Sequence, residues 1–389
     1  MLPIKQAQSN HPQLTIMQPI IINTQPAYPL YLDKQLLTSD CLWTLCHQQH
    51  KHLVIITDDH IAPLYAQPLQ MFLQQHQLTV NIISIAHGEA IKTRETKATI
   101  EDKLCQLGCG RDTCIIALGG GVVTDLAGFV AATYCRGIPV IYIPTSLLAM
   151  VDAAIGGKTA VNTPYGKNLI GTFTQPQAVF LDIDTLSTLP EHEYINAFAE
   201  VIKHALIVDP NYFSLLANNV TAIKARNKDV LMRIIKRSCE IKRDIVEADE
   251  KETGMRELLN FGHTVGHAIE LVTDYHIPHG QAVAIGIVLE SYLSWQMGLL
   301  TQDSFQSIKT IFTDYGIALT LPNIDTKAIG IEQLKQAMTL DKKSRNKVPR
   351  FVLLQSIGKA YVDKFNYATT VDEDKLVQML HFLVNNHLS

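Results

Sequence analysis

One stretch decides the fold class: Thr113-Cys-Ile-Ile-Ala-Leu118, then Gly119-Gly120-Gly121, then Val-Val-Thr-Asp125-Leu-Ala-Gly128. A short apolar run without polar alternation is a strand covered on both faces, and three glycines leading into further apolar residues make a strand-to-helix turn. Similar runs recur at Leu53-Val-Ile-Ile-Thr57, Thr79-Val-Asn-Ile-Ile-Ser-Ile85, Pro139-Val-Ile-Tyr-Ile143 and residues 178–183, with room for a helix between successive runs. That spacing reads as βαβ units in a mostly parallel sheet. Amide N–H groups at the start of the helix after the glycines are suited to face an anion such as a cofactor pyrophosphate. The turn is not a full GxGxxG, since Thr124 stands at the third glycine position, and a plain tight connection would read the same way.

Beyond Pro190 the pattern changes to helical periodicity, over residues 191–208, 230–250, 255–273 and 281–298. Phe351-Val-Leu-Leu-Gln355, Ile357-Gly358 and Ala360-Tyr-Val362 read as a small hairpin. The chain therefore divides near residue 185 into an α/β first part and a mostly α-helical second part. Its 389 residues agree with two or three domains at roughly 150 residues each.

With 47% hydrophobic and 18% charged residues, the composition is that of a globular protein. A net charge of -4 argues against non-specific nucleic-acid or anionic-membrane binding, both of which need a basic excess. Seven cysteines without CxxC spacing suggest neither a disulfide framework nor a thiolate zinc site, so a reducing, cytoplasmic location is expected. No signal peptide or membrane span is expected either, because residues 1–30 lack a continuous apolar segment and residues 138–155 are interrupted by Pro139, Pro144 and Asp152.

Ile155-Gly-Gly-Lys158-Thr159 looks like the end of a P-loop, but that motif needs glycine where this chain has Asp152. What remains is a Gly-Gly-Lys turn with Lys167-Asn168 nine residues on, either solvated loop residues or a phosphate grip. Glu200 and Lys203, three apart on one helical face, read as an ion pair. His263 and His267, four apart in Asn260-Phe-Gly-His263-Thr-Val-Gly-His267, and His279 before the next helix join Glu200 as candidate ligands of a divalent metal. Spacing does not say which three bind, although it favours the His263/His267 pair. The run from Asp341 through Lys342, Lys343, Arg345 and Lys347 to Arg350 is either a solvated loop or a lid over an anionic substrate.

Taken together, the motifs resemble the 3-dehydroquinate synthase family of sugar-phosphate cyclases, from about Leu53 to Gly358. GGGVVTDLAGF, RGIP, PTSLLAMVDAAIGGKTAVN, GKNLIG, TLPEHEYINAFAEVIKHALI, LLNFGHTVGHAIE and HGQAVAIG occur in the family's order. The resemblance implies a Rossmann-like NAD-binding domain over residues 1–185 and an α-helical metal- and substrate-binding domain over residues 186–389. It further implies an NAD- and zinc-dependent (or Co²⁺-dependent) homodimeric lyase of the shikimate pathway, with 3-deoxy-D-arabino-heptulosonate 7-phosphate as substrate and 3-dehydroquinate and phosphate as products. The cofactor contacts it implies are Asp58, Glu89, Lys92, Gly119, Gly120, Gly121, Asp125, Thr145, Ser146 and Thr188, with Lys158 and Lys167 reaching both cofactor and substrate.

By the same resemblance the metal ligands are Glu200, His263 and His279, and His267 instead faces substrate, suited to relay a proton with Glu252. Lys158, Lys203, Lys242, Arg256 and Asn260 complete the implied catalytic set. Asp152, Lys167, Asn168, Lys342 and Lys343 are implied substrate contacts, and Arg136 resembles an arginine that reaches across the dimer. Ser146, Ala153, Ala154, His60 and Thr185 depart from the family pattern around the cofactor site. Three other readings compete. A metal-dependent polyol dehydrogenase would share the fold without needing these lysines, a different cyclase would act on a substrate lacking the carboxylate, and a non-catalytic NAD- or metal-binding regulator would have no use for the whole set.

Overall fold

The computed structural model describes residues 18–50, 52–321, 330–340, 348–364 and 366–384. The decisive stretch folds as its composition requires: strand, glycine turn, then a helix at Gly121–Thr133. The strands are β1 (Ile20–Ile22), β2 (Tyr28–Asp33), β3 (His52–Asp58), β4 (Thr79–Ile85), β5 (Thr113–Gly119), β6 (Val140–Pro144), β7 (Lys158–Thr163), β8 (Gly166–Phe173) and β9 (Ala178–Asp182). Among the described residues seven of them form one sheet, ordered β1-β2-β9-β6-β5-β3-β4 and parallel except for β1 against β2. Every residue of β5, β6 and β9 is buried, the pattern of strands sandwiched between helices.

The chain leaves β3 outward to β4 and returns on its other side to β5, so the winding reverses between β3 and β5. A ligand crevice opens at such a reversal, outside the strands' carboxyl ends. Asp58 ends β3 and Gly119 ends β5, which brings two of the expected cofactor residues to that crevice.

The second part is helical, as expected, with two corrections to detail. Residues 255–273 are not one helix: a 3-10 turn, Met255–Asn260, gives way at Gly262 (φ 79) to the helix His263–Val272. Left-handed backbone there favours glycine and reorients the chain, so His263 becomes the first residue of its helix. The segment 191–208 is likewise two helices, Glu191–Asn196 and Phe198–Val208. The C-terminal hairpin is present but smaller than expected, as β10 (Leu354–Ser356) and β11 (Lys359–Ala360).

Helix Phe198–Val208 runs through the core, with residues 198–207 all buried. Burying Phe198, Val201, Ile202 and Leu206 contributes about 1.5–3 kcal/mol each, which offsets the cost of burying Glu200, Lys203 and His204 beside them. Two glycines bring the neighbouring helix, His279–Gln296, up to the end of helix Glu191–Asn196, just before this one, and to the start of His263–Val272. A Cβ at Gly280 would fall on the carbonyl of Asn196, and one at Gly286 on the carbonyl of Gly262. Those backbone approaches set His263 and His279 against Glu200.

Candidate active site

Glu200 Oε1 lies 3.4 Å from His263 Nε2 and 3.8 Å from His279 Nε2. The outer ring nitrogens are tied back: His263 Nδ1 is 3.2 Å from the Phe261 carbonyl, and His279 Nδ1 is 3.3 Å from Glu270 Oε2. Both imidazoles thus present Nε2 to one carboxylate, in the orientation that outer-shell partners impose on metal ligands. Glu200 is 1% exposed, and Lys203 Nζ lies against Oε2 as an ion pair, yet neither oxygen receives an aligned hydrogen bond. A buried carboxylate short of donors, facing two imidazole nitrogens, fits a divalent metal.

The His263/His267 pair that spacing favours is not the one that converges on Glu200; His267 groups instead with Glu270 and His279. Glu270 was absent from the expected set, although it falls seven residues after His263 on the same helical face. It joins two site residues, accepting from Lys167 Nζ at 2.9 Å as well as meeting His279. Burial alone would raise its pKa, but His279 and Lys167 outweigh burial and hold the carboxyl down at about 2.

The expected cations Lys242, Arg256 and Lys158 are each held against a named partner. Lys242 Nζ donates to Asp152 Oδ1 at 2.5 Å and to the Asp152 carbonyl. Burial would raise the Asp152 carboxyl, yet Lys242 and Lys203 hold it well below the usual carboxylate range. Arg256 is buried and donates to the carbonyls of Glu250 (2.6 Å) and Gly156 (3.0 Å). Glu252 accepts from Lys158 Nζ at 2.5 Å and from Asn260 Nδ2 at 3.3 Å.

The loop that carries Glu252 and Arg256 is pinned by Asp249, whose carboxylate accepts the backbone N–H groups of Thr253, Gly254 and Arg256 at 2.7–3.0 Å. Burial pulls the Asp249 pKa upward, but these donors outweigh it and leave the group below its ordinary value. A depressed carboxylate contributes stability that is present above its unfolded pKa, about 3.9, and is lost as pH falls through the lower folded value. Asp249→Ala is therefore expected to lower Tm at pH 7 and to shrink that loss progressively below pH 4. Thermal melts across that range check the result, and a Tm difference independent of pH would contradict it.

At the crevice between β3 and β5, helix Gly121–Thr133 begins without a side-chain cap, so its first amides face outward from the glycine turn. A Cβ at Gly120 would sit 3.5 Å from Ser146 Oγ, and one at Gly121 would sit 3.5 Å from Ala153, so the turn lies against two of the five departures from the family pattern. The Thr145 N–H donates to the Gly119 carbonyl at 2.9 Å, locking the turn to the end of β6. Lys92 Nζ donates to Asp125 Oδ2 (2.5 Å) and Asn168 Oδ1 (2.6 Å), while Glu89 accepts from Asn162 at 2.7 Å. Asp58 accepts the N–H groups of His60 and Ile61, and Thr188 meets the Tyr65 hydroxyl at 2.6 Å. An uncapped helix start behind a glycine turn fits a pyrophosphate.

Not every expected contact is assembled. Lys158 pairs in register with Phe173, whereas Lys167 lies near the tip of the same β7–β8 hairpin, about 13 Å further along by strand rise. The two lysines hold different acids, Glu252 and Glu270, and do not make one phosphate grip. Arg136 is exposed at the far end of the 13-residue helix from the glycines, roughly 20 Å away by helical rise. Lys342 and Lys343 lie outside the described residues. Arg350, at the end of the same basic run, is fixed by Glu257 (2.8 Å) and the Ala368 carbonyl (2.6 Å).

A family model for the 3-dehydroquinate synthase N-terminal region matches residues 82–196, and one for the C-terminal region matches residues 197–344. The chain is 45% identical over 343 residues to the 3-dehydroquinate synthase of Coxiella burnetii (strain CbuG_Q212), covering 88% of this chain and 93% of that protein. It is 42% identical over 339 residues to the enzyme of the same name from Nitrosospira multiformis, covering 87% and 91%. Among solved structures, 2-epi-5-epi-valiolone synthase from Streptomyces hygroscopicus subsp. jinggangensis 5008, with NAD⁺ and Zn²⁺ bound, superposes with a TM-score of 0.83 at 26% identity over 92% of this chain and 97% of that one.

Proposed function

The chain belongs to the 3-dehydroquinate synthase family, and from that premise we propose how its own residues perform the family's reaction. The reaction converts 3-deoxy-D-arabino-heptulosonate 7-phosphate into 3-dehydroquinate and phosphate. Transient oxidation at C5, phosphate elimination, re-reduction and aldol closure follow in that order. NAD⁺ is held at the Gly119–Gly121 turn, and Zn²⁺ or Co²⁺ at Glu200, His263 and His279. When bound, the nicotinamide takes and returns the C5 hydride and the metal acts as a Lewis acid on the C5 hydroxyl.

The remaining residues bind and orient. A substrate with a phosphate and a carboxylate needs fixed cations and amides, which Lys158, Lys167, Asn168, Lys203, Lys242, Arg256 and Asn260 provide, with Asp152 orienting Lys242. Lys342 and Lys343 are assigned to the same substrate. His267, whose ring lies 5.3 Å from that of His263, and Glu252, which holds Lys158 and Asn260, are assigned the passing of protons. Elimination can use the leaving phosphate's own oxygens as base. The observation that carries the reading is the convergence of Glu200, His263 and His279, drawn from three separate helices.

The cofactor domain is assigned to residues 1–185 and the metal and substrate domain to residues 186–389; the last strand of the seven-stranded sheet ends at Asp182. A homodimer is part of the proposal, supported by the exposed Tyr165, Leu169, Ile170 and Phe173 on the hairpin and by the exposed Arg136 in the 3-10 turn Tyr134–Arg136. A cytoplasmic location is supported by free cysteines at all seven positions. Among the described residues no helix is long and apolar enough to cross a membrane.

The test is phosphate release from the heptulosonate phosphate by purified protein, with and without NAD⁺, and after chelation and Zn²⁺ restoration. Release that needs both groups is expected. Steady NADH formation from glycerol with no phosphate release would place the protein among polyol dehydrogenases instead.

A further inference from the structure

One polar side chain in the catalytic helix has no role in this scheme. His204 follows Lys203, is 0% exposed, and finds no hydrogen-bond partner for either ring nitrogen. Leaving a buried ring nitrogen without a partner is costly, and this ring carries two. Around it stand two acids that the site already uses. One ring nitrogen of His204, one carboxylate oxygen of Asp152 and one of Glu200 all lie within 4.8 Å of one another. Two hydrogen bonds of about 2.8 Å meeting at a tetrahedral atom span roughly 4.6 Å, so the three groups are spaced to share one small ligand between them.

Three such donors are also a metal-ligand set, but the surrounding charge decides against a cation. Lys242 already sits on Asp152 and Lys203 on Glu200, and Glu200 also faces the metal proposed at His263 and His279, so a second cation here would meet three positive neighbours. A neutral hydroxylic molecule adds no charge and gives one ring nitrogen of His204, Asp152 and Glu200 a shared hydrogen-bond partner.

We propose that His204, Asp152 and Glu200 bind one buried water, and that His204 acts through it as a positioning residue, holding the Glu200 carboxylate toward His263 and His279. The bridge ties the metal carboxylate to the Asp152–Lys242 pair, so the metal ligand and a substrate-binding lysine are oriented by one shared molecule. His204 itself touches neither metal nor substrate. The effect on metal affinity rests on the Glu200/His263/His279 reading; the water does not.

The experiment compares Zn²⁺ affinity, by competition with a chromogenic chelator, in wild-type protein, His204→Phe and His204→Gln, alongside Tm and high-resolution crystal structures. Phenylalanine keeps a ring of similar size and removes both nitrogens, while glutamine can still hold a water. For His204→Phe the expected result is an unchanged or higher Tm with Zn²⁺ binding weakened about ten- to hundred-fold, the range for loss of an outer-shell partner. His204→Gln is expected to stay near wild type, and a water touching His204, Asp152 and Glu200 is expected in the wild-type crystal. Zn²⁺ binding by His204→Phe equal to wild type would overturn the positioning role. A wild-type crystal structure without that water would overturn the site, also where His204→Phe fails to fold. Failure of wild-type protein to bind Zn²⁺ would sink the metal reading separately, leaving the water to be judged from the crystal.

Discussion

His279→Ala is expected to give a folded protein that binds no stoichiometric metal and turns over at least about a thousand-fold more slowly, since Lewis-acid stabilisation is worth several kcal/mol and each 1.36 kcal/mol is a factor of ten. The side chain opens a helix at the protein surface side of the cluster, with about a third of it exposed, so its loss removes little packing. It removes one of three nitrogen and oxygen donors that converge, and Glu270 keeps Lys167 as a partner. Metal content and phosphate release should therefore fall together. Full activity in the variant, or in wild-type protein stripped of metal, would contradict the assignment.

Lys158→Ala is expected to separate stability from activity. The side chain is 47% exposed and its ion pair with Glu252 is of the solvated kind, worth about 0–1 kcal/mol, so Tm should hardly move. A fixed cation facing a substrate anion is worth much more when charge shifts in the transition state, and losing one such donor typically costs about a hundred- to a thousand-fold. The fall in kcat/KM should be of that order. Near-native kcat/KM would remove Lys158 from the substrate site.

The parallel sheet was legible because a strand buried on both faces leaves an unbroken apolar run, as in Ile115–Leu118 and Ile141–Ile143. The elements that escaped are those whose environment is mixed. β1 and β2 are short and set among prolines, and β7 and β8 form a two-stranded hairpin whose second strand is exposed along most of its length. The helix expected over 255–273 fails at Gly262 because periodicity does not register a left-handed residue.

Within the site, residue types were readable and their grouping was not. Spacing sees only neighbours on one helix, which is why it pointed to His263 and His267. The choice of His279 comes from the close backbone contact of Gly280 with Asn196, a tertiary event between segments far apart in sequence. The resemblance supplied that choice without its cause. Glu270 and His204 lay within quoted motifs, but their use depends on burial and partners that no local pattern expresses.

The most direct test of the account follows the hydrogen at C5. Substrate carrying deuterium at C5 should yield 3-dehydroquinate that keeps it, with one phosphate released per product and no net NADH, because the hydride leaves and returns within one turnover. Deuterium lost to solvent, or label accumulating in reduced cofactor, would contradict the transient oxidation on which every residue assignment here depends.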